Sequence, residues 1–124
     1  MELKQIGKLL VVNIYGDVDH SNAISIRKEI DEAIKSREIT DLLFNFSNLE
    51  FMDSSGIGMI LGRYKILLSL DGRVYIAEPN ECVRKIINVS GLHKIIPIYD
   101  NYKIAVKKIS EVSNNEYKLH DNKI

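Results

Sequence analysis

The chain has little that would staple it, anchor it or give it a dominant charge. One cysteine, Cys82, excludes an internal disulfide. Lys+Arg and Asp+Glu both number 17, so the formal net charge is +0 and bulk charge supplies no attraction for nucleic acid or an anionic membrane. No apolar run is long enough to span a bilayer. The opening Met1-Glu2-Leu3-Lys4-Gln5 has no apolar segment of signal-peptide type. These absences give the expectation of a cytoplasmic protein with neither a membrane nor a nucleic acid as direct partner. No internal repeat and no second domain is visible. The 124 residues, 45% hydrophobic and 27% charged, are ordinary for a globular protein with one core.

Short apolar runs alternate with helical patterns. Leu9 to Tyr15 reads as a buried strand that stops at Gly16-Asp17, with Leu3 to Ile6 as an edge partner across a Gly7-Lys8 turn. Asp19-His20-Ser21-Asn22 offers helix caps, and Ala23, Ile26, Ile30, Ala33 and Ile34 follow at helical spacing. Leu42 to Phe46 is the next strand. A second helix reaches about Leu70, and Asp71-Gly72 leads into a strand from Arg73 to Ala77. Pro79 suits the first turn of a helix over Asn80 to Val89, which Ser90-Gly91-Leu92 breaks. Ile95 to Tyr99 is a last short strand, for which Pro97 argues an edge or terminal position. Tyr102 to Ile109 suits a final helix, and residues 111–124 read as a polar, flexible tail after a domain of residues 1–110. The expected architecture is α/β: a mixed, mostly parallel sheet of four to five strands flanked by four to five helices.

The segment with most chemistry is Phe51-Met52-Asp53-Ser54-Ser55-Gly56-Ile57-Gly58, where an apolar run meets a helix pattern without a spacer. First-turn N–H groups lack partners within the helix, and its dipole places partial positive charge there. A hydroxyl at such a point can cap the helix, act as a nucleophile or accept a phosphate. A nucleophilic Ser54 needs a base, for which His20 is the candidate, yet no Gly-x-Ser-x-Gly elbow surrounds it. A nucleotide loop is poorly matched: in Gly56-Ile57-Gly58-Met59-Ile60-Leu61-Gly62 the third glycine falls one residue late, and no Gly-Lys-Ser/Thr follows. Asp17, Asp19 and His20 are close in sequence but belong to no ligand set of known metal spacing.

Ile57, Ile60, Leu61, Tyr64, Leu67 and Leu68 share one side of the second helix and are expected on the sheet. The other side carries Gly58, Met59, Gly62, Ile66 and Ser69, small and apolar where a solvated face is usually charged. That pattern suggests a protein-docking surface beside the serines at Gly58, Met59 and Gly62, while Ile66 suits equally well a face covered by a neighbouring helix such as Asn80 to Val89. Cys82, Val83, Ile86 and Ile87 recur at helical spacing, which makes Cys82 an expected core thiol. Tyr15 and Tyr75 read as strand side chains with hydroxyls near the surface.

The run from Phe51 through Asp53-Ser54-Ser55-Gly56 to Gly62-Arg63-Tyr64-Lys65 resembles the signature of bacterial anti-sigma factor antagonists, which are single STAS domains. Gly16-Asp17-Val18-Asp19-His20 and Val89-Ser90-Gly91-Leu92-His93-Lys94-Ile95-Ile96 extend the match. The resemblance implies a regulatory binding protein and not an enzyme. Its unphosphorylated form would bind an anti-sigma factor that is also a serine kinase, releasing the sporulation sigma factor F. That kinase, holding ATP in its own site, would phosphorylate Ser54 and so end binding, and a serine phosphatase would reset the switch. The chain itself would need no cofactor and no metal. The partner surface implied comprises Asp17, Asp19, His20, Asp53, Ser54, Ser55, Gly56, Gly58, Met59 and Gly62. A paralogous role toward a stress-response sigma factor, or a small serine hydrolase using Ser54, are the competing expectations.

Overall fold

The computed structural model describes residues 1–121, and side-chain surroundings as far as Val112. Seven strands and four α-helices follow in the order β1 (Glu2–Ile6), β2 (Leu9–Asn13), β3 (Gly16–Val18), α1 (Ala23–Ser36), β4 (Asp41–Asn45), β5 (Leu49–Met52), α2 (Ser54–Ser69), β6 (Arg73–Ala77), α3 (Glu81–Ser90), β7 (Ile98–Tyr99) and α4 (Tyr102–Asp121). A 3₁₀ turn, Leu92–Lys94, separates α3 from β7.

The main sheet has the order β1-β2-β4-β6-β7. Only β1 runs antiparallel, paired with β2 through a hairpin; β2, β4, β6 and β7 are parallel neighbours. The mixed five-stranded α/β architecture agrees with the expectation from sequence. The physical reason lies in β2 and β4, whose runs Leu9 to Val12 and Leu42 to Phe44 are apolar without alternation because both faces are covered. Leu10, Val12, Leu42 and Phe44 point into a core closed by α1, α2 and α3, with Ile30, Ile60 and Ile87 opposite them. Leu9, Val11, Leu43 and Tyr75 point the other way and meet Ala105 and Ile109 of α4.

Several local expectations shift. A second sheet, of β3 and β5 in parallel, lies in stretches to which the sequence pattern assigns no strand. The last strand contracts to Ile98–Tyr99, at the sheet edge where Pro97 had suggested it. Pro79 precedes the Asn80 N-cap instead of entering the first turn of α3, and Gly91 ends that helix with φ 80°, a left-handed conformation that glycine adopts without strain. Helix α4 extends past the expected Ile109. The tail reading for 111–124 falls partly on residues 122–124 and on side chains beyond Val112, which lie outside the described residues.

Two burial expectations are corrected. Cys82 is exposed, because α3 seats Val83 and Ile87 on the core, with Ile86 packed at its edge, and turns Cys82 outward. Helix α2 is rotated toward α1 relative to the expected face: Met59 and Arg63 are each 5% exposed, whereas Leu68 is 55% exposed. Tyr75 is a buried strand residue at 5% exposure, while Tyr15 lies beyond the end of β2 and is 48% exposed.

Candidate functional site

The parallel pairing of β3 with β5 builds the site. It aligns Asp17 with Phe51 and Val18 with Met52, and the Asp53 N–H donates to the Val18 carbonyl at 3.1 Å. Two loops distant in sequence, Asp17 to Asn22 and Asp53 to Ser55, are therefore held side by side at the start of α2. Asn22 folds the first loop: its Oδ1 accepts from the Asp19 N–H at 3.0 Å, and its Nδ2 donates to the Asp17 carbonyl at 2.8 Å. The Asp19 carboxylate accepts from the Ser21 hydroxyl and from the Ser21 N–H at 2.9 Å. Those donors favour the ionised form, so Asp19 titrates below the ordinary aspartate range.

The cap of α2 settles which side chain serves the helix. Asp53 is the N-cap in extended conformation, and its Oδ1 accepts from the Ser55 N–H at 2.8 Å. Ser54 is the first helical residue and is exposed. Ser55 is half-buried and Gly56 is buried. A Cβ on Gly56 would collide with the Met52 side chain and stand 3.2 Å from Val18 Cγ1, so this glycine permits close packing of α2 on the small sheet. Gly58 and Gly62 differ: a Cβ on either would meet nothing within 4 Å.

The two serines open onto different concavities. Ser54 and Asp53 edge a groove of about 510 Å³ between the start of α2 and α3, walled by Phe51, Ile57, Ile86 and Val89, with Lys85 and Ser90 at its margin. Phe51 is 42% and Val89 84% exposed. Asn80 ties the groove's two sides together: its Oδ1 caps α3 by accepting from the Val83 N–H at 2.8 Å, and its Nδ2 donates to the Leu49 and Glu50 carbonyls at 3.1 Å each. On the opposite side of α2, Ser55, Gly58, Met59 and Gly62 join His20, Ala23, Ile24, Arg27 and Arg63 around a pocket of about 350 Å³.

The residues singled out from sequence thus gather at one end of the molecule, but in two groups. Asp53 and Ser54 belong to the groove; His20, Ser55, Gly58, Met59 and Gly62 belong to the pocket. Asp17 is exposed and Asp19 half-buried on the neighbouring loop. Met59 contributes an edge while remaining largely buried. Sequence reasoning missed the groove wall and the two arginines. The spacing Ser55, Met59, Arg63 carried a usable signal, since residues four apart stack on one helix face. Among the described residues no group of three or more His, Cys, Asp or Glu side chains could hold a metal ion, and no helix is long and apolar enough to cross a membrane.

Comparison with known proteins places this geometry in a family. The STAS domain model matches residues 1–105. An anti-sigma F factor antagonist from Paenibacillus polymyxa is 38% identical over 91% of this chain and 97% of the relative. The identity with an anti-sigma-B factor antagonist from Bacillus subtilis is 26%, over 79% of this chain and 88% of that one. Among solved structures, the unphosphorylated form of the anti-sigma factor antagonist SpoIIAA superposes with a TM-score of 0.80 at 32% identity, covering 89% of this chain and 96% of that one. The phosphorylated form of SpoIIAA, a Bacillus cell fate determinant, gives a TM-score of 0.71 at 31% identity, covering 87% and 97%. With a motif-bearing loop pair at the start of α2 and a family match spanning nearly all of the described domain, the chain belongs to the STAS domain family and, within it, to the anti-sigma factor antagonists.

Proposed function

We propose that the unphosphorylated chain binds an anti-sigma factor that is also a serine kinase, frees the sporulation sigma factor F from it, and is switched off when that kinase phosphorylates Ser54. The observation that carries this reading is the division of labour at the α2 start. Asp53 holds the cap, so the neighbouring Ser54 is exposed at the first helical position and available to an incoming active site. A phosphate there adds about −1.5 to −2 charge at neutral pH. Within the folded protein the dipole of α2 favours it. In a complex, the same charge beside Phe51, Ile57 and Ile86 has to be desolvated against an apolar wall, which opposes docking. The switch then acts on the interface and leaves the fold intact.

In this reading the ATP is held by the partner, a serine phosphatase restores the active form, and the chain works in the cytoplasm as a substrate and ligand, not as a catalyst. The sigma F assignment is favoured over a stress-response sigma factor by the higher identity to the Paenibacillus polymyxa relative. The hydrolase alternative has little support, because His20 lines the pocket with Ser55 and not the groove with Ser54.

The decisive experiment incubates the protein with its cognate anti-sigma kinase and ATP and maps the product by mass spectrometry. Phosphate on Ser54, lost in Ser54→Ala while that variant still binds the kinase, is the expected result. Phosphate found on Ser55 alone, or no binding to the kinase, overturns the reading. Labelling of Ser54 by a fluorophosphonate without kinase would instead support the hydrolase.

A further inference from the structure

Among the described residues Arg63 is the one charged residue that is buried. It lies on α2 one turn beyond Met59, and its side chain is 6% exposed. Its Nε stands 2.8 Å from Asp31 Oδ1 on α1, close enough for an ion pair. The two atoms are not aligned for a hydrogen bond, however, and neither they nor Arg63 Nη1 have a hydrogen-bond partner. A guanidinium carries five N–H donors in a fixed fork, and leaving them unmatched in a buried setting is unfavourable. Burial depresses the Arg63 pKa, Asp31 partly offsets this, and Arg27 adds a like-charge repulsion.

Arg63 also forms part of the wall of the α1–α2 pocket, with exposed Arg27 and His20 beside it. Asp31 offsets one of the two arginine charges and is itself more than a third exposed. The Asp19 and Asp53 carboxylates are committed to Ser21 and Ser55. The remaining lining is Ser55 together with Ala23, Ile24, Met59, Gly58 and Gly62, which are apolar or bare backbone. The pocket, of about 350 Å³, therefore sets the exposed Arg27 guanidinium, with the buried Arg63 charge behind it, beside a short apolar wall.

We propose that this pocket receives an acidic side chain, aspartate or glutamate, from the protein that docks on α2. Its carboxylate pairs with the exposed Arg27, in the field of the buried Arg63 charge behind it, while its methylenes lie along Ile24 and the open backbone at Gly58 and Gly62. Arginine suits this role because its fork matches the two carboxylate oxygens. The inference rests on the proposed kinase partner and adds to it a second anchor, on the far side of α2 from Ser54.

The test is charge reversal with rescue. Arg27→Glu, at an exposed position that leaves the fold alone, is expected to weaken binding to the cognate anti-sigma kinase by about tenfold or more. Reversing the partner's interface acids to lysine one at a time should yield one variant that regains binding to Arg27→Glu and loses it to the wild type. Unaltered binding of Arg27→Glu overturns the proposal, as does the absence of any rescuing reversal. A titration with inorganic phosphate that perturbs the amides of Ser55, Gly58 and Gly62 while Arg27→Glu binds the kinase normally would make this a free-phosphate site and also overturn it. If the wild-type protein fails to bind the kinase at all, the functional reading fails first, and the two failures are distinguishable.

Discussion

Asp53 Oδ1 accepts the Ser55 N–H at 2.8 Å across the start of α2, and this bond relieves the Ser54 hydroxyl between them of capping the helix. Capping and switching, which compete for the same hydroxyl on residue type alone, are divided between adjacent side chains.

Removing that cap should be visible in stability. Asp53→Ala is expected to lower unfolding free energy by about 1 kcal/mol, and Asp53→Asn by less, since an amide oxygen can still accept. Urea denaturation of the three proteins checks this. An effect in Ser54→Ala as large as in Asp53→Ala would contradict the assignment of the cap.

Phosphorylation should not unfold the protein. A phosphate at the first position of α2 interacts favourably with the helix dipole by about 0.3–1 kcal/mol at low ionic strength. The thermal midpoint of the Ser54-phosphorylated form is therefore expected to equal or slightly exceed that of the unmodified form while kinase binding falls. Ser54→Asp, with one charge and fewer acceptors, should reproduce the loss only in part.

Gly62 separates stability from binding. A Cβ there meets nothing within 4 Å, and glycine inside a helix is about 1 kcal/mol less favourable than alanine. Gly62→Ala should raise the denaturation midpoint, and, because Gly62 lines the pocket, weaken partner binding. Gly56→Ala should do the reverse to stability, since its Cβ collides with Met52. Calorimetry on both variants, with a binding isotherm for the first, tests the contrast.

The acidic loop gives a pH prediction. Hydrogen bonds from Ser21 hold the Asp19 pKa below its unfolded value. A carboxylate with a depressed folded pKa contributes its loop-ordering effect above the unfolded pKa and loses it as pH falls through the folded one. Carbon-detected NMR titration should place the Asp19 midpoint below the ordinary aspartate value, and Ser21→Ala should raise it. A midpoint unmoved by Ser21→Ala would show that the bond is not maintained in solution.

Much of the molecule is legible along the chain. The apolar runs of β2, β4 and β6 and the periodicity of α1 are local patterns, and each appears where its spacing places it. The motif from Phe51 to Lys65, carried on consecutive residues, identifies the family without coordinates. What one element's pattern cannot encode is its rotation and its partner. Cys82 with Ile86 and Val83 with Ile87 have the same spacing, and only the seating of α3 on the sheet decides that Val83 goes inside. Packing of α1 turns Met59 and Arg63 inward and Leu68 outward, exchanging members of the face expected from periodicity. The short β3 and β5 are too brief to stand out as strands, because their stability comes from pairing across some thirty residues and not from propensity.

The Asp-Ser-Ser-Gly motif and its helix start are therefore determined by sequence. The tertiary structure decides what surrounds them: β3 pairing brings the Asp17–Asn22 loop alongside, Asp53 takes the cap, and helix rotation sends Ser54 to an apolar groove and Ser55 to a pocket edged by arginine. Adjacent residues on a helix point about 100° apart, so the two serines face different neighbours, and those neighbours come from elements that only folding brings together.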